Sequence, residues 1–110
     1  MRRICSVYVT VSSDEEARYI SDELLKARLV ACANIFSDVT SVYRWKGELR
    51  EDREVVVVYK TRESLFPRVD ELVRSIHSYD NPCLEAFPAV NISSEYAEWV
   101  RGETCQEKCE

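Results

Sequence analysis

The chain has 110 residues, 45% of them apolar, aromatic or cysteine and 32% charged, which suits a single domain burying roughly 60 to 70% of its unfolded surface. Fifteen Lys and Arg against twenty Asp and Glu give a net charge of -5, the wrong sign for counterion-release binding to a phosphate backbone, so nucleic acid is excluded as a partner. After Met1-Arg2-Arg3 comes strand-like alternation, and no window approaches the roughly 18 uninterrupted apolar residues of a membrane span; a soluble, unexported, cytoplasmic protein is expected.

In chain order, Ile4 to Val11 alternates and predicts a first strand, with Val7, Val9 and Val11 on one face. Ser13 and Glu16 have capping-box spacing, and Ala17, Ile20, Leu24 and Ala27 recur at helical spacing, predicting a helix to about Arg28. A second strand begins near Val30. From Cys32 to Thr61 every residue is compatible with strand apart from one turn at Lys46-Gly47, so each arm far exceeds the usual five or six residues. So small a domain cannot cover both arms, and an uncovered ribbon invites pairing with another chain.

Val55 to Tyr59 is an unbroken apolar run, as in a strand buried on both faces, and marks the second arm as central. Ser64 is the expected cap of a second helix, with Pro67 in its first turn and Leu65, Val69, Leu72, Val73 and Ile76 as the inner stripe. His77 to Pro82 is a loop. Leu84 to Ile92 reads as a fourth strand, placed at an edge or bulge because Pro88 cannot donate to a ladder. Tyr96, Trp99 and Val100 mark a short last helix, closing a domain at residue 102 before a polar tail over 103–110.

This β-α-β-β-α-β-α order gives an α+β fold of ferredoxin-like, split βαβ type. Right-handed crossovers set the first strand beside the third and leave the second and fourth as edges. Tyr43 and Trp45 then lie on an edge arm, where aromatic side chains commonly anchor subunit contacts. Five scattered cysteines do not resemble a disulfide scaffold and fit a reducing compartment. Cys5, Cys32 and Cys83 read first as small buried hydrophobes. Cys105 and Cys109 stand four apart, a spacing that permits a two-thiolate clip or a disulfide, although a frayed tail is the preferred reading.

Five segments in register carry a resemblance: Ala31-Cys32-Ala33-Asn34-Ile35; Ser41-x-Tyr43-x-Trp45-x-Gly47; Glu54 with Lys60-Thr61; His77-x-Tyr79-x-x-Pro82; and Tyr96-x-x-Trp99. Over about residues 4 to 101 the chain resembles the CutA divalent-cation tolerance family. The resemblance implies a ferredoxin-like subunit, a homotrimer built through the long ribbons and sheet edges, an architecture akin to PII signalling proteins, and a link to copper and other divalent metals with no obligatory cofactor. Members with proposed copper ligation carry a Cys near the end of the first strand and paired histidines before the His-x-Tyr position; this chain has Thr10 and Ile76 there.

The candidate metal ligands are therefore His77, the only histidine, and Cys32. His77, Tyr79 and Asp80 place an imidazole, a phenol and a carboxylate on one loop, and a neighbouring subunit's ribbon would bring Tyr43, Trp45, Glu54 or Lys60 to an intersubunit cleft able to hold a metal or small anion. Three other uses of the fold fail on residues. A copper-chaperone Cys-x-x-Cys is replaced by Val11-Ser12-Ser13-Asp14, no phosphate-cradling glycine precedes Gly47, and Tyr8 and Tyr59 lack the basic surround of an RNA-recognition surface. No nucleophile and base pair stands out, so a non-enzymatic metal-response trimer is expected, the alternative being a PII-like module that binds a small metabolite or protein at subunit clefts.

Overall fold

The computed structural model describes residues 3–105. Its elements are β1 (Ile4–Val11), α1 (Asp14–Lys26), β2 (Cys32–Trp45), β3 (Glu48–Arg62), a 3-10 turn (Glu63–Leu65), α2 (Phe66–Ile76), β4 (Leu84–Pro88) and α3 (Ser94–Glu103). The four strands form one sheet in the order β2-β3-β1-β4, antiparallel throughout, so β3 is internal and β2 and β4 are the edges, as the topology rules required.

Strand periodicity divides the sheet into two faces. Cys5, Val7, Val9 and Val11 of β1 join Val55, Val57 and Tyr59 of β3 beneath Ala17, Ile20 and Leu24 of α1 and Val69 and Val73 of α2, and these residues form the main core. Ile4, one step out of phase, packs instead with Ala31, Ala97 and Val100, so α3 covers one end of the other face. Beyond α3 that second face is open. Tyr59 is fully buried and its hydroxyl meets Ser21 Oγ at 3.0 Å, the polar contact that keys α1 to β3.

Local details differ from the sequence reading for identifiable reasons. Ser13 does cap α1, accepting the Glu16 N–H at 3.1 Å, but the Glu16 carboxylate turns to Ser12 rather than completing the capping box. Helix α1 stops at Lys26 because Arg28 is left-handed (φ 58) and the N–H groups of Arg28 and Leu29 bond back to Leu25 and Leu24. Ser64 lies inside the 3-10 turn and does not cap α2, which starts at Phe66 with no side-chain cap and with Pro67 in its first turn. β4 ends at Pro88, where the ladder loses its donor, four residues short of the expected Ile92. The expected tail from 103 is also corrected: Thr104 and Cys105 are buried, with the Cys105 N–H on the Arg28 carbonyl at 2.7 Å. Cys109 lies outside the described residues.

The β2–β3 hairpin closes through Lys46 (φ 50) and Gly47 (φ 81), a two-residue turn with both centres left-handed. Between Phe36/Val56 and Val39/Glu54 the register shifts: Ser37 and Asp38 of β2 stand where β3 has Val55 alone. Asp38 takes φ 64, which Asp tolerates better than most residues, so this is a β-bulge. Below it Cys32, Asn34 and Phe36 pair with even-numbered β3 residues; above it Ser41 and Tyr43 pair with Asp52 and Arg50. Paired residues share a face, so one extra residue places the odd-numbered β2 side chains on the open side of the sheet.

The Ser21–Tyr59 pair makes a testable energetic claim. Tyr59→Phe leaves the Ser21 hydroxyl buried without its partner and is expected to cost about 1–3 kcal/mol, whereas adding Ser21→Ala recovers part of that loss. Denaturant unfolding at one fixed protomer concentration measures both; strictly additive losses would contradict the pairing.

Candidate functional site

Where the bulged ribbon bends over the open face it meets the loop before β4. Together they line a half-open cleft of about 640 Å³, formed by Thr10, by Ser41, Val42, Tyr43 and Trp45 of β2, by Arg50, Asp52 and Glu54 of β3, and by Tyr79, Asp80, Asn81 and Cys83. That volume is in the ordinary range for small-molecule sites. Ser41, Tyr43, Asp52, Glu54 and Thr10 reach it because the pairing puts them on one face.

Glu54 is the centre of the polar lining. Its Oε1 accepts from Ser41 Oγ at 2.6 Å and its Oε2 from the Tyr79 hydroxyl at 2.6 Å, tying the ribbon to the loop. The Tyr43 hydroxyl donates to Asp52 in the same way. Burial first, and then the bond to Glu54, push the Tyr79 phenol well above its usual range, so it stays a neutral donor. Burial, with Glu85 and Glu54 nearby, also raises the Cys83 thiol, which disfavours a nucleophilic thiolate.

Behind the cavity, His77 acts as a strut. Its side chain is fully shielded, one ring nitrogen (Nε2) lies 2.8 Å from the Thr10 carbonyl oxygen, and Nδ1 accepts the Tyr79 N–H at 3.0 Å. β4 pairs with β1 only up to Val9, so the imidazole supplies the Thr10 carbonyl with the donor that a longer edge strand would have given. Glu16 locks the same loop by accepting from the N–H and Oγ of both Ser12 and Ser78 at 2.7 to 3.0 Å. Burial opposes its ionisation, yet these bonds prevail and hold the carboxyl at about 2, below its ordinary 4.5.

The site residues read from sequence are thus partly gathered. Tyr43, Trp45, Glu54 and Tyr79 do meet within one chain. Lys60 does not join them: it pairs with Ser6 and Cys32, six residues and about 20 Å along β3 from Glu54. Cys32 lies at that same far end, its Sγ 3.6 Å from the Tyr96 hydroxyl, whereas His77 bonds Thr10, four residues and about 13 Å along β1 from Ser6. An ion shared by His77 and Cys32 of one chain does not fit this spacing. A metal at His77 would also have to displace the Thr10 carbonyl or the Tyr79 amide, and among the described residues no three His, Cys, Asp or Glu side chains converge to hold one. Asp52 and Arg50 were missed although they continue the plain alternation of β3 from Val56, and Ser41 was missed because only the bulge turns it to this face.

The model of the family described as CutA1 divalent ion tolerance protein matches residues 5–103. The Divalent-cation tolerance protein CutA of Thermus thermophilus is 42% identical over 98 residues, 89% of this chain and 95% of that one. Protein CutA, chloroplastic, of Arabidopsis thaliana is 37% identical over 98 residues, 89% of this chain but 54% of that one, so the chain spans about half of that relative's length. The crystal structure of CutA1 from Oryza sativa superposes with a TM-score of 0.93 at 34% identity, covering 96% of this chain and 97% of that one.

The Glu16 clamp predicts an acid response. A carboxyl with a lowered folded-state pKa stabilises the fold fully above 4.5 and loses that contribution as pH falls toward about 2. Glu16→Gln is expected to cost about 1.5–3 kcal/mol at neutral pH and to flatten the stability profile in that window. Urea unfolding at stepped pH checks it; a variant with the parent's slope would contradict the clamp.

Proposed function

As the chain belongs to the CutA1 divalent ion tolerance family, we propose that it is a non-enzymatic homotrimer serving the response to divalent metals, copper among them, and that its ligand-binding site is the cavity under the bulged ribbon. The observation that carries the assembly is the ribbon itself. Arms of 14 and 15 residues stretch a small body to 43 Å, and Phe36, Val42, Tyr43, Trp45 and Leu49 remain exposed along them, with Phe87 exposed on β4. Two free edges on opposite sides of one sheet favour head-to-tail contact, which closes into a ring when the rotation permits. The number three comes from the family resemblance.

A non-enzymatic role is supported by the engagement of both His77 nitrogens and by the raised Cys83 thiol, which leave the cavity without an activated nucleophile and its base. Cys5, Cys32 and Cys83 form no disulfide, in keeping with a reducing cytoplasm. No helix among the described residues is long and apolar enough to cross a membrane.

The cavity favours the PII-like form of this reading, in which a small ligand binds beside the ribbon, over direct ligation of copper by His77 and Cys32. Two measurements test the proposal. Sedimentation equilibrium at micromolar protomer should give three times the chain mass, and a stable compact monomer would contradict the assembly. Copper and zinc calorimetry should be insensitive to His77→Ala, short of the roughly 10-fold loss that even an outer-shell contact gives; abolished stoichiometric copper binding would restore His77 as the metal site.

A further inference from the structure

The loop after α2 is held by an imidazole whose two nitrogens do opposite jobs. We propose that His77 is thereby a pH-sensitive latch: protonating its ring transfers Nδ1 from the Tyr79 amide to the Glu16 carboxylate and loosens the loop. The tautomer follows from the partners. The Tyr79 N–H donates to Nδ1 at 3.0 Å, so Nδ1 presents a lone pair, and Nε2 must carry the proton that goes to the Thr10 carbonyl at 2.8 Å. Only the neutral ring with its proton on Nε2 satisfies both bonds.

A second proton has to enter at Nδ1, where it meets the amide hydrogen. An imidazolium has two donors and no acceptor, so the Tyr79 N–H loses its partner. The new donor has somewhere to go: Glu16 Oε2 stands 3.7 Å from Nδ1, too far to bond a neutral ring but within ion-pair range of a charged one. That oxygen accepts from the Ser78 N–H at 2.8 Å and has a further lone pair. The bonds that hold the Glu16 carboxyl at about 2 keep it ionised throughout the range in which imidazoles titrate.

The groups set against the ring give the same direction. Glu16 faces it from α1, Tyr79 lies 4.8 Å away between ring centres with its hydroxyl on Glu54 of β3, and β1 contributes the Thr10 carbonyl. Taking an imidazolium out of water is costly, and the Glu16 charge offsets that cost. The loop needs the neutral ring, so its hold is complete at high pH and is lost as pH falls through the ring's titration. With its amide released, Tyr79 keeps its hydroxyl bond to Glu54, so acid loosens the loop backbone before it parts the loop from the ribbon. The working parts are His77, Glu16, the Thr10 carbonyl and the Tyr79 amide of one chain, none of them an exposed apolar residue of the ribbon. The device therefore does not depend on what the cleft binds.

The test titrates the full chain in its native assembly from about pH 8 to about pH 4.5, following by nuclear magnetic resonance the ring of His77, the only histidine, and the Tyr79 amide. Ring titration and loss of Tyr79 amide protection are expected to share one midpoint, the protection falling about tenfold after correction for intrinsic exchange. Glu16→Gln should require about tenfold more acid for the same step. His77→Gln keeps a donor for Thr10 but cannot titrate, and should abolish the step at Tyr79. A ring that stays neutral throughout, a Tyr79 amide unmoved while the ring titrates, or an unchanged midpoint in Glu16→Gln overturns the latch. Should either variant fail to fold, the two midpoints of the parent chain decide alone.

Discussion

A single extra residue in an edge strand governs the architecture of this protein. In an uninterrupted antiparallel ladder, side-chain parity runs unchanged from one end of a hairpin to the other, so the face given to Phe36 would also dictate the face given to Val42 and Arg44. The bulge at Ser37-Asp38 reverses that assignment halfway along β2, and Asp38 supports it by accepting a left-handed backbone and an ion pair with Arg53. The proximal half of the ribbon is thereby committed to the packed body, and the distal half is free to turn Ser41, Tyr43 and Trp45 toward the open side. Those side chains line one cleft with the loop that precedes β4.

The rest of the chain holds that loop still. β1 runs past the end of β4, and the unfilled bonding capacity at Thr10 is met by His77 at the end of α2. Glu16, from the first turn of α1, fastens Ser78 next door, while Glu54 fastens Tyr79 from the ribbon side. Three segments far apart in sequence therefore converge through two carboxylates and one imidazole, each with its hydrogen-bonding capacity directed at backbone or hydroxyl partners. In such a frame the imidazole is structural. The aromatic and acidic residues of the ribbon lie one layer farther out.

Much of this was legible in the residues. Alternation in β1, the valine run of β3, the Ser13 cap and Pro88 fix element order and strand order, because each depends on local periodicity or on a donor that proline lacks. The bulge was not legible: it contains no glycine or proline, and its one signal, a serine–aspartate pair inside a β-branched stretch, is common in plain strands. Without it, Ser41, Tyr43 and Trp45 fall on the face opposite Glu54 and Asp52. Cys105 was missed for a related reason. A polar, charged segment gives no hint that the Arg28 carbonyl, exposed by the left-handed end of α1, waits to receive its N–H. His77 was ambiguous because residue type alone cannot tell a ligand from a strut.

Cross-strand proton contacts in solution test the parity reversal most directly. Two registers on one ribbon are expected, Phe36 opposite Val56 but Val39 opposite Glu54 and Tyr43 opposite Arg50, with Tyr79 ring protons close to Glu54. A single unbroken register, setting Val39 against Arg53 and Tyr43 against Leu49, would remove the aromatic wall from the cavity and contradict the account.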